Sequence, residues 1–156
     1  MELSGDDLAG VVDSFGALTR DELRDALAEL AFKQGDDADA QAFEGLIDEA
    51  IDEYRLIRLD SPESGHDPLL VVGPSAFPTR PGGTQDLRHI LDIDERDIDR
   101  GRAGEAATAR LREEAALAIE MGDTAEIEHL IDVSYDIEAW APVTLDEIRS
   151  HLDGSR

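Results

Sequence analysis

Between Asp36 and Pro74 the spacing of apolar residues changes period without a break, and this change limits the possible folds more than any other feature of the chain. Phe43, Leu46, Ile47, Ala50, Ile51 and Tyr54 recur at helical spacing. From Arg55 the pattern shortens. Leu56-Ile57-Arg58-Leu59 is partly β-branched and is followed by a polar loop, Asp60 to Asp67, holding Pro62 and Gly65. Pro68 then opens Leu69-Leu70-Val71-Val72, and Gly73-Pro74 closes it. Two short apolar runs around a turn-rich loop predict a β-hairpin. The spacing therefore predicts a helix over about Ala38 to Tyr54, capped by Asp36 or Asp37, that runs directly into a hairpin. Gly45 lies inside that helix, where glycine costs about 1 kcal/mol relative to alanine. Either a close contact requires it or the helix is locally weak.

Two helices precede this stretch. Ser4 can cap the first, with Asp7 adding negative charge at its positive end. Leu8, Val11, Val12 and Phe15 form one apolar stripe, and Gly16 ends it. Thr19-Arg20-Asp21-Glu22 reads as a capping box for the second helix, in which the glutamate reaches back to the cap amide. Its stripe is Leu23, Ala26, Leu27 and Leu30, extended by Phe32; Lys33 suits the last turn and Gly35 stops it.

The order is thus helix, helix, helix, strand, loop, strand. Residues 7–74 resemble a winged helix-turn-helix domain. The resemblance rests on the stripe Leu8/Val11/Val12/Phe15, on Ala17-Leu18-Thr19-Arg20-Asp21-Glu22-Leu23 and on the run from Ile51 to Leu59. It implies a third helix that lies in the major groove of DNA. The whole chain also resembles one of the uncharacterised haloarchaeal protein families, which carries no function over.

Residues 75–86, SAFPTRPGGTQD, are rich in proline and glycine and predict a linker or an arm. The expected domains are a winged-helix-like domain over 1–74, the linker or arm over 75–86, and a helical hairpin or small bundle over 87–156. In the last, Leu87, Ile90 and Leu91 form a short stripe. An alanine-rich helix over Ala103 to Met121 offers Ala107, Leu111, Ala115 and Ala118, with Leu117 and Met121, as buried sets. A further helix carries Ile127, Leu130, Ile131, Ser134 and Ile137. Thr144-Leu145-Asp146-Glu147 reads as a second capping box for a final short helix. The fold class expected is mainly α with a small β-hairpin.

Charge bounds the environment. There are 38 Asp and Glu against 14 Lys and Arg, a net charge of -24, and only one of the 14 bases is a lysine. Acid surplus with almost no lysine and few aromatics points to a halophilic cytoplasm. At about 1 M salt the Debye length is about 3 Å, so like charges hardly repel at a distance. In dilute salt the same surface repels itself and weakens the compact state. The N-terminal residues lack the basic and apolar runs of a signal segment, and no apolar run reaches membrane-spanning length, so a cytoplasmic protein with no membrane contact is expected.

Chemistry narrows the function further. There is no cysteine, hence no thiolate nucleophile or ligand. His66, His89, His129 and His151 are scattered, and the acids at Asp92, Asp94, Glu95, Asp97 and Asp99 lack the glycine and terminal glutamate of a calcium loop. No nucleophile elbow, phosphate loop or dinucleotide fingerprint occurs. The expectation is no enzyme, no catalytic residue, no cofactor and no metal site.

DNA binding rests on cations that meet phosphates, and base reading uses Arg, Lys, Asn or Gln. Off its apolar stripe the third helix offers mainly acids, Glu44, Asp48, Glu49, Asp52 and Glu53 among them, and no cation before Arg55. A recognition helix is therefore disfavoured. If DNA is bound, the contacts fall to Arg55, Arg58, His66 and Arg80 at the wing and arm. The arginines from Arg96 to Arg112 are interleaved with acids and read as intrahelical ion pairs. The preferred reading is a non-catalytic protein-interaction or regulatory module with a partner the sequence does not name. The alternative is a winged-helix transcriptional regulator that uses its wing. The apolar C-terminal helices are expected to support a homodimer.

Overall fold

A computed structural model describes residues 3–35, 40–60 and 67–156. The expected caps Asp36 and Asp37, and Pro62, Gly65 and His66 of the loop, lie outside the described residues. The chain divides into two compact units, Met1–Ile98 and Asp99–Arg156. The described residues are mainly helical, with one small three-stranded antiparallel sheet.

In the first unit, helix α1 (Gly5–Phe15) is buried on nearly every side: Leu8, Ala9, Val11, Val12 and Phe15 are all inaccessible. Its start is fixed by a reciprocal capping box. The Ser4 hydroxyl accepts from the Asp7 amide at 3.2 Å, and the Asp7 carboxylate accepts from the Ser4 amide at 3.0 Å. Gly16 ends the helix at φ 85°, a left-handed conformation that glycine adopts without a Cβ clash. Strand β1 (Leu18–Thr19) follows, and Thr19 then caps α2 (Arg20–Lys33) with the expected box, Glu22 accepting from the Thr19 amide at 2.9 Å. Two residues carry too little pattern to reveal β1 in the sequence.

Helix α3 (Ala40–Asp52) stops before Tyr54, which turns the chain at φ 60° into β2 (Leu56–Leu59). Strand β3 (Leu69–Val72) pairs with β2 through Leu56↔Val72 and Leu59↔Leu69, and with β1 through Leu18↔Leu70. The sheet order is β1-β3-β2. The hairpin expected from the sequence is thus widened by a third strand. Leu8, Leu18, Leu23, Leu27, Leu30, Ile47, Leu56 and Leu70 meet in one core. Burying a side chain of this size is worth about 1.5–3 kcal/mol.

Residues 75–98 belong to this first unit. The segment 75–80 runs along α1, held by its backbone: the Thr79 amide donates to the Asp6 carbonyl at 3.0 Å, and the Phe77 amide to the Asp6 carboxylate at 3.0 Å. The Phe77 side chain itself is exposed. A Cβ on Gly10 would stand 1.7 Å from the Thr79 carbonyl oxygen, so only glycine admits the segment at this distance. After a 3-10 turn (Thr84–Asp86), α4 (Leu87–Leu91) buries Leu87 in the core and leaves Ile90 exposed.

In the second unit α5 (Arg100–Met121), α6 (Thr124–Trp140) and α7 (Asp146–Asp153) pack against one another. Ala103, Ala107, Leu111, Ala115 and Ala118 face inward, but Leu117 and Met121 are exposed, so only one of the two expected sets is buried. The box expected at Thr144 does not form. Leu145 is the cap residue, and its amide donates instead to the Glu138 carboxylate at 2.8 Å. Among the described residues no helix is long and apolar enough to cross a membrane.

Candidate functional site

Helix α3 has two faces with opposite chemistry. Phe43, Ile47 and Ala50 enter the core, with Leu46 and Ile51 partly buried beside them. Gln41, Ala42, Gly45, Asp48, Glu49 and Asp52 are exposed. The exposed face has no cation, and its centre is flat because Ala42 and Gly45 carry almost no side chain. A Cβ on Gly45 would meet nothing within 4 Å, so no packing contact requires the glycine.

One flank of this face is tied to α2. Arg20 donates to Glu44 at 2.6 Å and to Asp48 at 2.7 Å, and Arg24 reaches Glu44 at 3.0 Å and Asp21 at 3.0 Å. Partial burial acts to lower the Arg20 pKa, but the hydrogen bonds and charges of Asp48 and Glu44 outweigh it and raise it above the ordinary value. These arginines are therefore committed to α3 and hold its orientation on α2.

The cations that the sequence assigns to a DNA-contacting alternative do not converge. Arg55 folds back over the start of α1, with Nε 3.3 Å from Asp6 and Nη1 2.7 Å from Glu53. Arg80 is 3.1 Å from Asp13, about two turns further along α1. Arg58 projects from β2, 64% exposed, with Asp60 at 3.4 Å. His66 lies outside the described residues. All eight arginines and lysines of residues 1–98 are in ion pairs, including Lys33 with Asp86, Arg88 with Glu95 and Arg96 with Glu22. Among the described residues, no group of three His, Asp or Glu side chains is placed to hold a metal ion.

Sequence reasoning missed the arginine ties. Arg20 and Arg24 lie 20–28 residues from their partners on α3, and no local spacing marks such a pair. Arg96, read as part of an intrahelical run, instead reaches Glu22 at 2.6 Å and the Ala17 carbonyl at 3.1 Å. Burial alone would raise the Glu22 pKa, but Arg96 and the Thr19 amide more than offset this and hold the carboxyl below its usual range. Arg110 does form the expected intrahelical pair, with Glu114 at 2.7 Å.

A model of a protein family described as "Family of unknown function (DUF7109)" matches residues 6–156. The chain belongs to this family. Neither a curated protein nor a solved structure matches it. The DUF7109 match runs through both compact units, so the family is defined by the first unit and the three-helix unit together.

Proposed function

We propose that this DUF7109 chain is a non-catalytic protein-interaction or regulatory module whose outward α3 face meets a basic partner surface. The first unit supports a winged-helix reading. Its order is α1, β1, α2, α3, β2, β3 with sheet order β1-β3-β2, a helical trio closed by an antiparallel ribbon. In that arrangement α3 occupies the position that meets a macromolecular groove. Fold does not fix function, so the residues must choose the partner.

One observation carries the choice: the outward face of α3 offers carboxylates and no cation, while every arginine and lysine of the unit is already paired with a carboxylate. A phosphate backbone would have to break these pairs to gain any contact. A surface bearing Arg or Lys would add charge-assisted hydrogen bonds at the spare lone pairs of carboxylates that keep their own partners, Asp48 among them. The acid surplus and near-absence of lysine support a home in a cytoplasm at molar salt, where only short-range complementarity survives screening.

A second reading keeps DNA as the partner through the wing. Arg58 favours it, being the most exposed of the three described cations at the wing and arm, with a long 3.4 Å contact to an exposed Asp60. Fluorescence anisotropy with random and genomic duplexes, over about 0.5 to 3 M KCl, separates the two. We expect no saturable binding, and capture of a basic protein that is lost on Glu49→Lys with Asp52→Lys. Sequence-selective DNA binding that Arg58→Ala abolishes would overturn the interaction reading.

A further inference from the structure

We infer that the groove between α5 and α7 joins two copies of this chain across a two-fold axis. The groove encloses about 250 Å³. Its floor is the buried Ala115 and Ile148, with the partly exposed Ile119 and the exposed Ala116 beside them. Arg112 stands on the α5 wall, and Glu147 stands on the α7 wall next to His151 one turn on.

Arg112 differs from the cations around it. Arg110 is paired with Glu114, and Arg149 with Glu138 and Asp146. Among the described residues neither Arg112 nor Glu147 is in an ion pair, although both line the same groove. Arg100 is also exposed and outside an ion pair, but its guanidinium donates to the Trp140 carbonyl and lies over the Trp140 ring; among the described residues Arg112 has neither kind of contact.

One cation on one wall, one anion on the other and an apolar floor between them form a self-complementary surface. A two-fold axis places Arg112 against Glu147 of the partner subunit and Glu147 against the partner's Arg112, which is the reciprocity an isologous interface requires. A wholly acidic partner would leave Glu147 against like charge, and a wholly basic one would do the same to Arg112. Charge complementarity therefore selects a second copy. The groove alone is small beside the roughly 800 Å² per subunit of a stable interface. Ala109, exposed on the same face of α5 one turn before Arg112, extends the apolar strip beyond the groove.

The test is size exclusion with light scattering on the full chain, at about 1 M KCl to screen net repulsion. The wild type should be a dimer. Arg112→Glu and Glu147→Arg should each weaken it at least about tenfold, since each sets two like-charge contacts in the interface. The double variant Arg112→Glu/Glu147→Arg, and an equimolar mixture of the two single variants, should both restore the dimer. Helical circular dichroism equal to wild type shows that every variant is folded, as expected for exposed positions. A monomeric wild type, single variants that dimerise like wild type, or a double variant that stays monomeric would each overturn the inference.

Discussion

Arg96 and Arg149 each tie together separate elements of their own unit and show how differently the two units are held. Arg96 grips Glu22 through both guanidinium nitrogens, at 2.6 and 3.2 Å, across 74 residues of chain. Arg149 binds Glu138 and Asp146 at 2.7 Å, donates to Ser134 and lies 4.2 Å over the Tyr135 ring, with every partner within 15 residues. On the scaling of loop closure with length, the longer tie costs about 2 kcal/mol more to close. The first unit meets that cost with an inaccessible α1 and glycines that admit the backbone at van der Waals limits. The second meets a smaller cost with local helix packing. The first unit should therefore respond to single steric changes more sharply than the second.

Gly16→Ala should have the largest effect. A Cβ there would be 1.7 Å from the Arg96 carbonyl oxygen, and the residue already sits at φ 85°. Left-handed strain of about 1–2 kcal/mol adds to overpacking of about 1–3 kcal/mol. Gly104→Ala is the matching change in the second unit, where a Cβ would be 2.6 Å from the Ala141 Cβ and 3.1 Å from a Val143 methyl. It carries no backbone strain and should cost about 1–3 kcal/mol. Urea unfolding followed by amide exchange in each unit measures both. Equal losses would break the comparison.

Removing the two arginines comes next. Arg149→Met should cost about 2 kcal/mol, because it strands a partly buried Glu138 and unties the start of α7. Arg96→Met, at a more exposed pair, should cost about 1 kcal/mol. The single tryptophan, Trp140, lies in the second unit beneath the Arg100 guanidinium at 4.9 Å, so its fluorescence reports that unit. Only the first of the two variants should shift the fluorescence transition.

Acid should act on both units. The Glu138 carboxyl is held below its ordinary value by Arg149 and the Leu145 amide, despite slight burial. Burial alone would raise Asp7, but the Ser4 amide and the Thr79 and Ser4 hydroxyls bring it below the ordinary value; Glu22 is lowered by Arg96. A carboxyl depressed in the folded state contributes stability above its unfolded pKa and loses it as pH falls through the folded value. Stability should therefore hold above pH about 5 and decline below the usual carboxylate range near 4. In Arg96→Met part of that decline should vanish from the first unit alone. A pH profile unchanged in this variant would sink the assignment of the Glu22 shift to Arg96.

How far the sequence revealed these features follows the same division. Caps at Ser4 and Thr19, the stripes of α1 to α3 and both hairpin strands were readable, because each is set by residues a few positions apart. The Arg96–Glu22 tie, the Gly10–Thr79 approach and the third strand Leu18–Thr19 were not, since each depends on a partner at least 50 residues away. The proline-rich stretch 75–86 read as a boundary for the same reason. Its composition marks a segment without regular structure, while its anchoring to Asp6 and Asp7 is written only in the fold. The acid face of α3 was legible because a helix period assigns faces directly. Its clamps on Arg20 and Arg24 were not.

Gly45 offers the smallest effect and the sharpest link between stability and the proposed contact. It sits mid-helix at an exposed position with open space where a Cβ would go. Gly45→Ala should stabilise the first unit by about 0.5–1 kcal/mol, as alanine narrows the unfolded ensemble and favours the helix. A stabilising substitution that needs no rearrangement leaves the glycine unexplained by folding. The proposed contact on this face would explain it, and Ala42 one turn before it extends the same flat strip. If a basic partner seats on this face, Gly45→Ala should raise the melting temperature and weaken partner binding together, and Gly45→Gln should weaken binding further. A variant that is both more stable and equally well bound would show that the strip is not contacted, and would move the partner surface to the Glu49 and Asp52 edge.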